Sequence, residues 1–211
     1  DSEVVATASG AITAGKPVVI NADGTVQFAG PSSTTISAGI GSEVTFESAS
    51  SRPQGCAFDS NSNKVVVTYE DTGNSSYGTA IVGTIDDSDN SISFGTAVVF
   101  ESASTGRMDA TFDSSNNKVV IAYKDGGNSG YGTAVVGTVS GTSISFGTPA
   151  VFKSGEIEYP TISFNTTTNK SLICYQDNSV VAKDGNAIAA TVSGTSISFG
   201  TEGLFESGAT Y

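Results

Sequence analysis

One stretch of the sequence is written three times, and this repetition constrains the fold more than any other feature. The motif Ser-Ile-Ser-Phe ends at Phe94, Phe146 and Phe199, which are 52 and 53 residues apart. A period in this range is typical of proteins built from stacked supersecondary units, each of which buries apolar surface against its neighbour. The predicted organisation is a leader at residues 1–38 and a repeat region at 39–211, with copies at about 42–94, 95–146 and 147–199 and the start of a further copy.

Turn signals cut each copy into four short apolar runs, which predicts a four-stranded antiparallel meander. The runs of the second copy are Asp109–Phe112, Lys118–Tyr123, Gly132–Val139 and Ser143–Phe152. An asparagine precedes the lysine that opens the second run, and asparagine tolerates the positive φ that hairpin loops require. We therefore expect hairpin loops at Asn63, Asn117 and Asn169.

The second run is apolar at successive positions, as in Val65-Val-Val, Val119-Val-Ile and Leu172-Ile. Such a strand is buried on both faces, so Val65, Val119 and Leu172 are expected at equivalent buried positions. Sheets covered on both sides favour β-propeller blades, because a two-layer sandwich leaves one face polar and a β-solenoid has a shorter period. The predicted fold class is all-β, with tandem four-stranded, propeller-like repeats.

The segment before the repeats contains two further β-type runs, Pro17–Ile20 and Thr25–Phe28. Between them stands Asp23-Gly24, a pair typical of tight hairpins. Residues 1–38 are therefore predicted to form a small β leader, which serves as an attachment segment.

The composition excludes several classes of partner. The net charge is −12 and the pI is near 4.1, a balance that repels nucleic acid and anionic membranes. No apolar run approaches the roughly 18 residues of a membrane-spanning helix, so membrane insertion is not expected. The cysteines, Cys56 and Cys174, occupy non-equivalent places in non-adjacent copies, so we expect two free, buried thiols rather than a disulfide.

The most persistent polar motif is Tyr-x-Asp at the end of the second run. A turn-capping role explains its recurrence, because an aspartate that accepts backbone N–H bonds is needed wherever the turn recurs. The rival interpretation is one small sugar- or receptor-contacting site per copy, which the third copy weakens by lacking the following loop tyrosine. The candidate ligand-binding residues are Tyr69, Asp71, Tyr77, Tyr123, Asp125, Tyr131, Tyr175 and Asp177.

Three carboxylates within five positions, Asp86, Asp87 and Asp89, offer oxygen ligands to Ca²⁺. The hairpin lacks the glycine and distal glutamate of an EF-hand loop, which favours a solvated turn, and no other cofactor is expected. The chain has no histidine and no Gly-rich phosphate loop, which argues against an enzyme. A glycoside hydrolase stays open as a third alternative, since its carboxylate pair is assembled in space.

The sequences of Gly132–Thr148 and Asn117–Tyr123 together resemble tandem repeats in structural proteins of marine bacteriophages. The leader stretches Ala8–Gly15 and Asn21–Thr25 resemble the start of similar virion proteins. The resemblance implies a non-enzymatic component of a virion, such as a tail fibre, spike or capsid decoration, or of another extracellular surface. Its implied partners are other copies, other surface proteins or a surface glycan, and a lectin-like carbohydrate-binding module is the alternative.

Three blades are too few to close a propeller, which typically has four or more. The open ends would expose apolar faces and strand edges that natural repeat proteins cover. We therefore expect other chains to cover them, with further repeats of a longer polypeptide as the alternative.

Overall fold

The structure, a computed structural model, describes residues 7–8, 18–20, 25–28 and 42–208. By its internal contacts the chain divides into two units, 1–40 and 41–211. In the described part of the chain, no helix is long and apolar enough to cross a membrane.

The first unit contains a three-stranded sheet of β1 (Thr7–Ala8), β2 (Val18–Ile20) and β3 (Thr25–Phe28). The strand order is β1-β3-β2, in which β2 and β3 pair antiparallel and β1 and β3 pair parallel. Strands are thus present at both predicted leader runs. The predicted turn at Asp23-Gly24 lies outside the described residues.

The second unit is one antiparallel sheet of 13 strands that does not close. Most consecutive strands pair as hairpins, as expected from the short polar turns between apolar runs. The all-β, antiparallel part of the predicted fold is confirmed, and the antiparallel pairing excludes a parallel solenoid. The strands are β4 (Ser51–Asp59), β5 (Lys64–Asp71), β6 (Tyr77–Ile85), β7 (Ile92–Phe94), β8 (Val98–Asp113), β9 (Lys118–Asp125), β10 (Tyr131–Ser140), β11 (Ser143–Phe146), β12 (Ala150–Asn165), β13 (Lys170–Asp177), β14 (Gly185–Ser193), β15 (Ser196–Phe199) and β16 (Gly203–Glu206).

Two strands, β8 and β12, are 16 residues long and link one part of the sheet to the next. The beginning of β8 pairs with β6 and its end pairs with β9, while β12 pairs in the same way with β10 and then β13. We therefore distinguish three strand sets. Set 1 is β4 to β7 with the beginning of β8; set 2 is the end of β8, β9 to β11 and the beginning of β12; set 3 is the end of β12 and β13 to β16.

The hairpin turns are where the sequence predicts them. Asn63, Asn117 and Asn169 have φ values of 54°, 53° and 54°, so all three adopt the predicted left-handed conformation. Asp113, which ends β8, is buried and accepts hydrogen bonds from the backbone N–H groups of Ser115 and Asn116. The polar groups of each turn are thus hydrogen-bonded within the turn itself.

Two apolar cores lie between neighbouring strand sets. The first joins Val66 and Val82 of set 1 to Val119 and Ile121 of set 2, and the second joins Val120 of set 2 to strands of set 3. Full burial of each such side chain contributes about 1.5–3 kcal/mol. We call the face of a set that carries the Val119 and Ile121 positions its front, and the face that carries the Val120 position its back.

The first strand of each set also contacts the next set directly. The Met108 backbone N–H donates to Gln54 Oε1 at 3.1 Å, and the Ile162 N–H donates to Asp109 Oδ2 at 3.0 Å. Since β4, β8 and β12 are not strand neighbours in the sheet, these bonds bring its distant parts together. The chain thus stacks its three sets in sequence order.

The expected equivalence of Val65, Val119 and Leu172 is wrong. Strand register pairs Phe58 with Val65, Phe112 with Val119 and Phe164 with Ser171. Leu172 therefore corresponds to Val120 and lies on the opposite face. Val119 is buried, Val65 is half-buried, and Leu172 is 48% exposed, because no further set covers the back of set 3.

Candidate interaction surfaces

The central strand of set 2 is buried on both faces. Five successive residues of β9 have no exposed surface, whereas exposed and buried residues alternate over the first four residues of β13. The difference follows from position, because set 2 has a neighbour on each side and set 3 has only one. The five residues are Val119, Val120, Ile121, Ala122 and Tyr123.

An aromatic cluster recurs at each junction between sets. Phe152 of set 2 lies against Tyr175 and Phe199 of set 3, with ring centroids 5.2 and 5.7 Å apart. Phe100 makes the same contacts with Tyr123 and Phe146. Each phenylalanine therefore belongs to one set and fills a site on the front of the next.

Within residues 42–208, the back of set 3 lacks such a neighbour. Phe205 follows Phe152 by 53 residues and lies over Gly185 as Phe152 lies over Gly132, yet it is 62% exposed and Phe152 only 8%. Ala189 is exposed, and its counterpart Val136 in set 2 is fully buried. This surface, the back of set 3, is one open apolar face of the molecule.

The front of set 1 is the second open face. Phe58 and Ile85 are 55% and 53% exposed. Val67 is half-buried, whereas its counterpart Ile121 is fully buried. Part of this face is covered within the chain, because Phe46 packs edge-on against Tyr69 at 5.2 Å. Phe46 thus occupies on set 1 the place that Phe152 occupies on set 3.

The predicted Tyr-x-Asp residues lie mostly inside the molecule. Tyr69 and Tyr123 are fully buried and Tyr175 nearly so, which leaves no ring face for a sugar. Burial, together with the nearby Glu47 and Asp71 carboxylates, raises the pKa of Tyr69 to about 12. The pKa values of the other two tyrosines are raised as well, first by burial.

The aspartates of the motif cap turns. Asp71 and Asp125 accept from the backbone N–H groups of Asn74 and Asn128, each closing a 3-10 helical turn. Asp177 accepts from the Ser179 N–H instead, as its different loop requires. The loop tyrosines Tyr77 and Tyr131 are half-buried. The buried tyrosines and the capping aspartates favour the turn interpretation, and a ligand site in each copy stays a prediction.

The acidic hairpin is a set of exposed turn residues. Asp86 accepts from both the N–H and the hydroxyl of Ser88, and these hydrogen bonds lower the pKa of Asp86. Asp89 accepts from the Ser91 N–H. Among the residues described by the structure, no group of three or more His, Cys, Asp or Glu side chains is placed to hold a metal ion. Asp86 and Asp89 thus act as turn caps.

A charged cleft of about 660 Å³ is lined by residues of all three sets, near the beginning of their first strands. Arg52 contacts Glu70 at 3.2 Å, and Arg107 contacts Glu158 through Nε at 3.3 Å. Lys124 Nζ forms an ion pair with Glu158 Oε1 at 2.7 Å. Because an arginine has five donors, both guanidinium groups keep N–H groups for a further acceptor.

Hydrogen bonds stabilise the charged forms of Lys124 and Glu156 at this cleft. Burial alone would lower the pKa of Lys124, but hydrogen bonds to Glu156 and Glu158 outweigh it and raise the pKa. The hydrogen bond from Lys124 in turn lowers the pKa of Glu156. Arg107 has a φ of 48° and lies 4.6 Å from the ring centroid of Tyr159. A positive φ at a residue other than glycine costs energy and is enriched at functional sites.

Sequence reasoning did not identify this cleft, although one signal was present. Glu70, Lys124 and Gln176 occupy the same place within the Tyr-x-Asp motif. This place changes charge between copies while its neighbours stay constant, as expected of residues that contact something other than the repeat itself.

Both cysteines are free, as predicted, but their predicted burial is wrong. Cys56 is exposed and Cys174 is half-exposed, because one lies on the front of set 1 and the other on the back of set 3. These positions have their counterparts at interior junctions of the sheet.

Comparison with known proteins gives no family assignment. No protein-family model matches the chain, and no curated protein matches it.

Proposed function

We propose that the chain is a non-enzymatic structural or adhesive component of a virion, such as a tail fibre, spike or capsid decoration, or of another extracellular surface. It acts through contacts with other protein chains. The observation that carries the proposal is the contrast between set 2, buried on both faces, and the open apolar back of set 3. Exposed apolar patches of this kind mark interaction surfaces.

In this proposal the strand sets are propeller-like blades. Support comes from the hydrogen bonds between the first strands of neighbouring sets and from the aromatic cluster that recurs at each junction. Three blades leave the ring open, and two chains of three would supply six, within the usual range of four to eight.

The extracellular setting rests on the resemblance of Gly132–Thr148 to bacteriophage repeats and on the surface composition. A net charge of −12 keeps a repeat protein soluble and suppresses contact with nucleic acid. The same charge makes the apolar end faces the natural place for specific association.

Light scattering on the purified chain tests this proposal. We expect masses that are multiples of 21.2 kDa, and a shift toward a single chain in Leu172→Glu, because a buried joint leaves the new carboxylate unpaired. Val151→Glu is the matched control, since Val151 of β12 is comparably exposed, at 41%, but belongs to set 2 and not to an open face. A wild-type protein that stays a single chain at high concentration would refute the proposal.

A carbohydrate-binding function is the second candidate, and the charged cleft favours it. Its arginine donors suit a sugar carboxylate, and its glutamates suit hydroxyl groups. Saturation-transfer NMR with a hexuronic-acid trisaccharide and its neutral counterpart tests it. Arg52→Gln should weaken binding of the acidic sugar. Lys118→Gln, at the first residue of β9 and outside the cleft, should not. Equal binding to wild type and Arg52→Gln would exclude the cleft as the site.

A further inference from the structure

The two cysteines of the chain lie on its two open faces, one on each. Cys56 pairs with Val67 on the front of set 1, and Cys174 pairs with Thr161 on the back of set 3. Strand register gives each cysteine a counterpart inside the molecule.

The counterpart of Cys56 is Ala110, because Ala110 pairs with Ile121 on the front of set 2. The counterpart of Cys174 on the back of set 1 is Thr68, because Thr68 pairs with Gly55 as Cys174 pairs with Thr161. The two cysteines thus mark the same two positions that face each other at the junction of sets 1 and 2.

These counterparts lie near each other, on either side of Gly55. A Cβ atom on Gly55 would lie 2.6 Å from Thr68 Oγ1 and 2.9 Å from the Ala110 nitrogen, so both atoms lie within 2.9 Å of one point. At the next junction the same two positions hold Ala122 and Ile162, which belong to one apolar core. Both positions are therefore buried at both junctions of the chain.

We propose that copies of this chain join head to tail, with the back of set 3 of one copy on the front of set 1 of the next, so that Cys174 lies beside Cys56 of the neighbouring copy. This inference rests on the proposed structural function and names its partner as a second copy. The joint continues the geometry of the two interior junctions.

The apolar complementarity of the two faces supports this joint. Leu172 and Ala189 on the back of set 3 take the places of Val66 and Val82 on the back of set 1. Val67 on the front of set 1 takes the place of Ile121. The open faces thus carry residues of the same kind as the junctions that the chain buries within itself.

One aromatic position in the joint has two candidates. Phe46 already fills the site beside Tyr69 and Phe94, which the neighbouring copy's Phe205 would otherwise take. All four residues of β16 are exposed. In the proposed joint, β16 therefore leaves the back of set 3, and Phe205 does not enter the site. Residues 43–48 of the next copy then cover Gly185 in its place, since Val44-Thr-Phe-Glu-Ser48 and Leu204-Phe-Glu-Ser207 share the Phe-Glu-Ser ending.

Crosslinking with a short bismaleimide tests the joint, because the chain has only two cysteines and each thiol adds to one maleimide. Wild type should give covalently linked copies. Cys56→Ser and Cys174→Ser alone should give none, and an equimolar mixture of the two variants should give a linked dimer again. Circular dichroism melting checks that both variants fold.

The outcomes separate this inference from the proposed function. A single-chain mass in light scattering overturns both. An assembled protein in which either single variant crosslinks on its own has a face-to-face symmetric joint, which overturns the inference alone. An assembled protein whose mixed variants fail to crosslink overturns it as well.

Discussion

Each phenylalanine at a junction lies on a glycine of the preceding hairpin strand, and this pair of residue types fixes the spacing between strand sets. A Cβ atom on Gly132 would lie 2.5 Å from Cε2 of Phe152. The ring has no room to retreat, because Tyr175 and Phe199 hold its other sides. Packing, rather than a turn, thereby explains the glycines at Gly78 and Gly132.

Gly132→Ala should lower the free energy of unfolding by about 1–3 kcal/mol, the usual cost of overpacking a core. Gly106→Ala is the control, because a Cβ atom on Gly106 would have nothing within 4 Å, so the loss should be smaller. Urea unfolding at equal protein concentration measures both. Equal losses would contradict the tight packing of Phe152.

Asp177 combines a buried carboxylate with a charged partner. Burial alone would raise the pKa of Asp177, but hydrogen bonds from Lys153 and Ser179 outweigh it, and the pKa lies below its ordinary value. Lys153 Nζ lies 2.6 Å from Asp177 Oδ2. The folded protein therefore favours the charged carboxylate.

Because the pKa is lowered on folding, the contribution of Asp177 to stability is complete above the ordinary value of about 3.9 and is lost as pH falls through the lowered value. Asp177→Asn should therefore lose less stability than wild type when pH falls from about 5 to 2. Asp87→Asn, at an exposed hairpin position, is the charge-matched control. Stability curves of wild type and Asp177→Asn that run parallel over this range would refute the assignment.

At the scale of elements, the long strands β8 and β12 decide how the sets are arranged. Each changes partner without a break, after Ser104 in β8 and after Glu156 in β12, so neighbouring sets share one backbone. A register shift follows at Arg107 and at Tyr159, and both residues have positive φ. The hydrogen bond from Ile162 N–H to Asp109 then ties β12 to β8.

Asp109→Ala should remove this tie between strands and leave the Ile162 N–H without its acceptor. The expected cost is about 1–3 kcal/mol of unfolding free energy, as for other partly buried groups that lose a partner. Asp87→Ala serves as the control for loss of a negative charge. Hydrogen exchange should show faster exchange at the Ile162 amide in Asp109→Ala, and an unchanged rate would contradict the role of this bond.

The sequence predicted the short elements better than the long ones. Turn residues such as Asn117 act locally, so their positive φ was predictable from residue type. The sequence reading placed Ser143–Phe152 in one run, but β11 ends at Phe146 and β12 begins at Ala150. Whether a strand continues past a bulge depends on the strands beside it, and a single sequence does not carry that information.

For the whole molecule, the apolar pattern predicted strands buried on both faces, and this holds only where a neighbouring set exists. Val120 is buried and its counterpart Leu172 is exposed, although both are apolar. Residue type thus reports the environment in which the strand functions, and the structure of one chain shows which faces still lack a neighbour. The charged cleft, by contrast, brings Arg52 and Lys124 together from different copies, which no periodic pattern encodes.

The most direct measurement is electron cryo-microscopy of the assembled protein at a resolution that separates strands. The account predicts the back of set 3 of each chain against the front of set 1 of the next, with Leu172 buried there as Val120 is buried at the interior junction. For two chains this gives a ring of six strand sets. Particles in which Leu172 faces solvent, or in which two set 3 backs meet each other, would contradict the account.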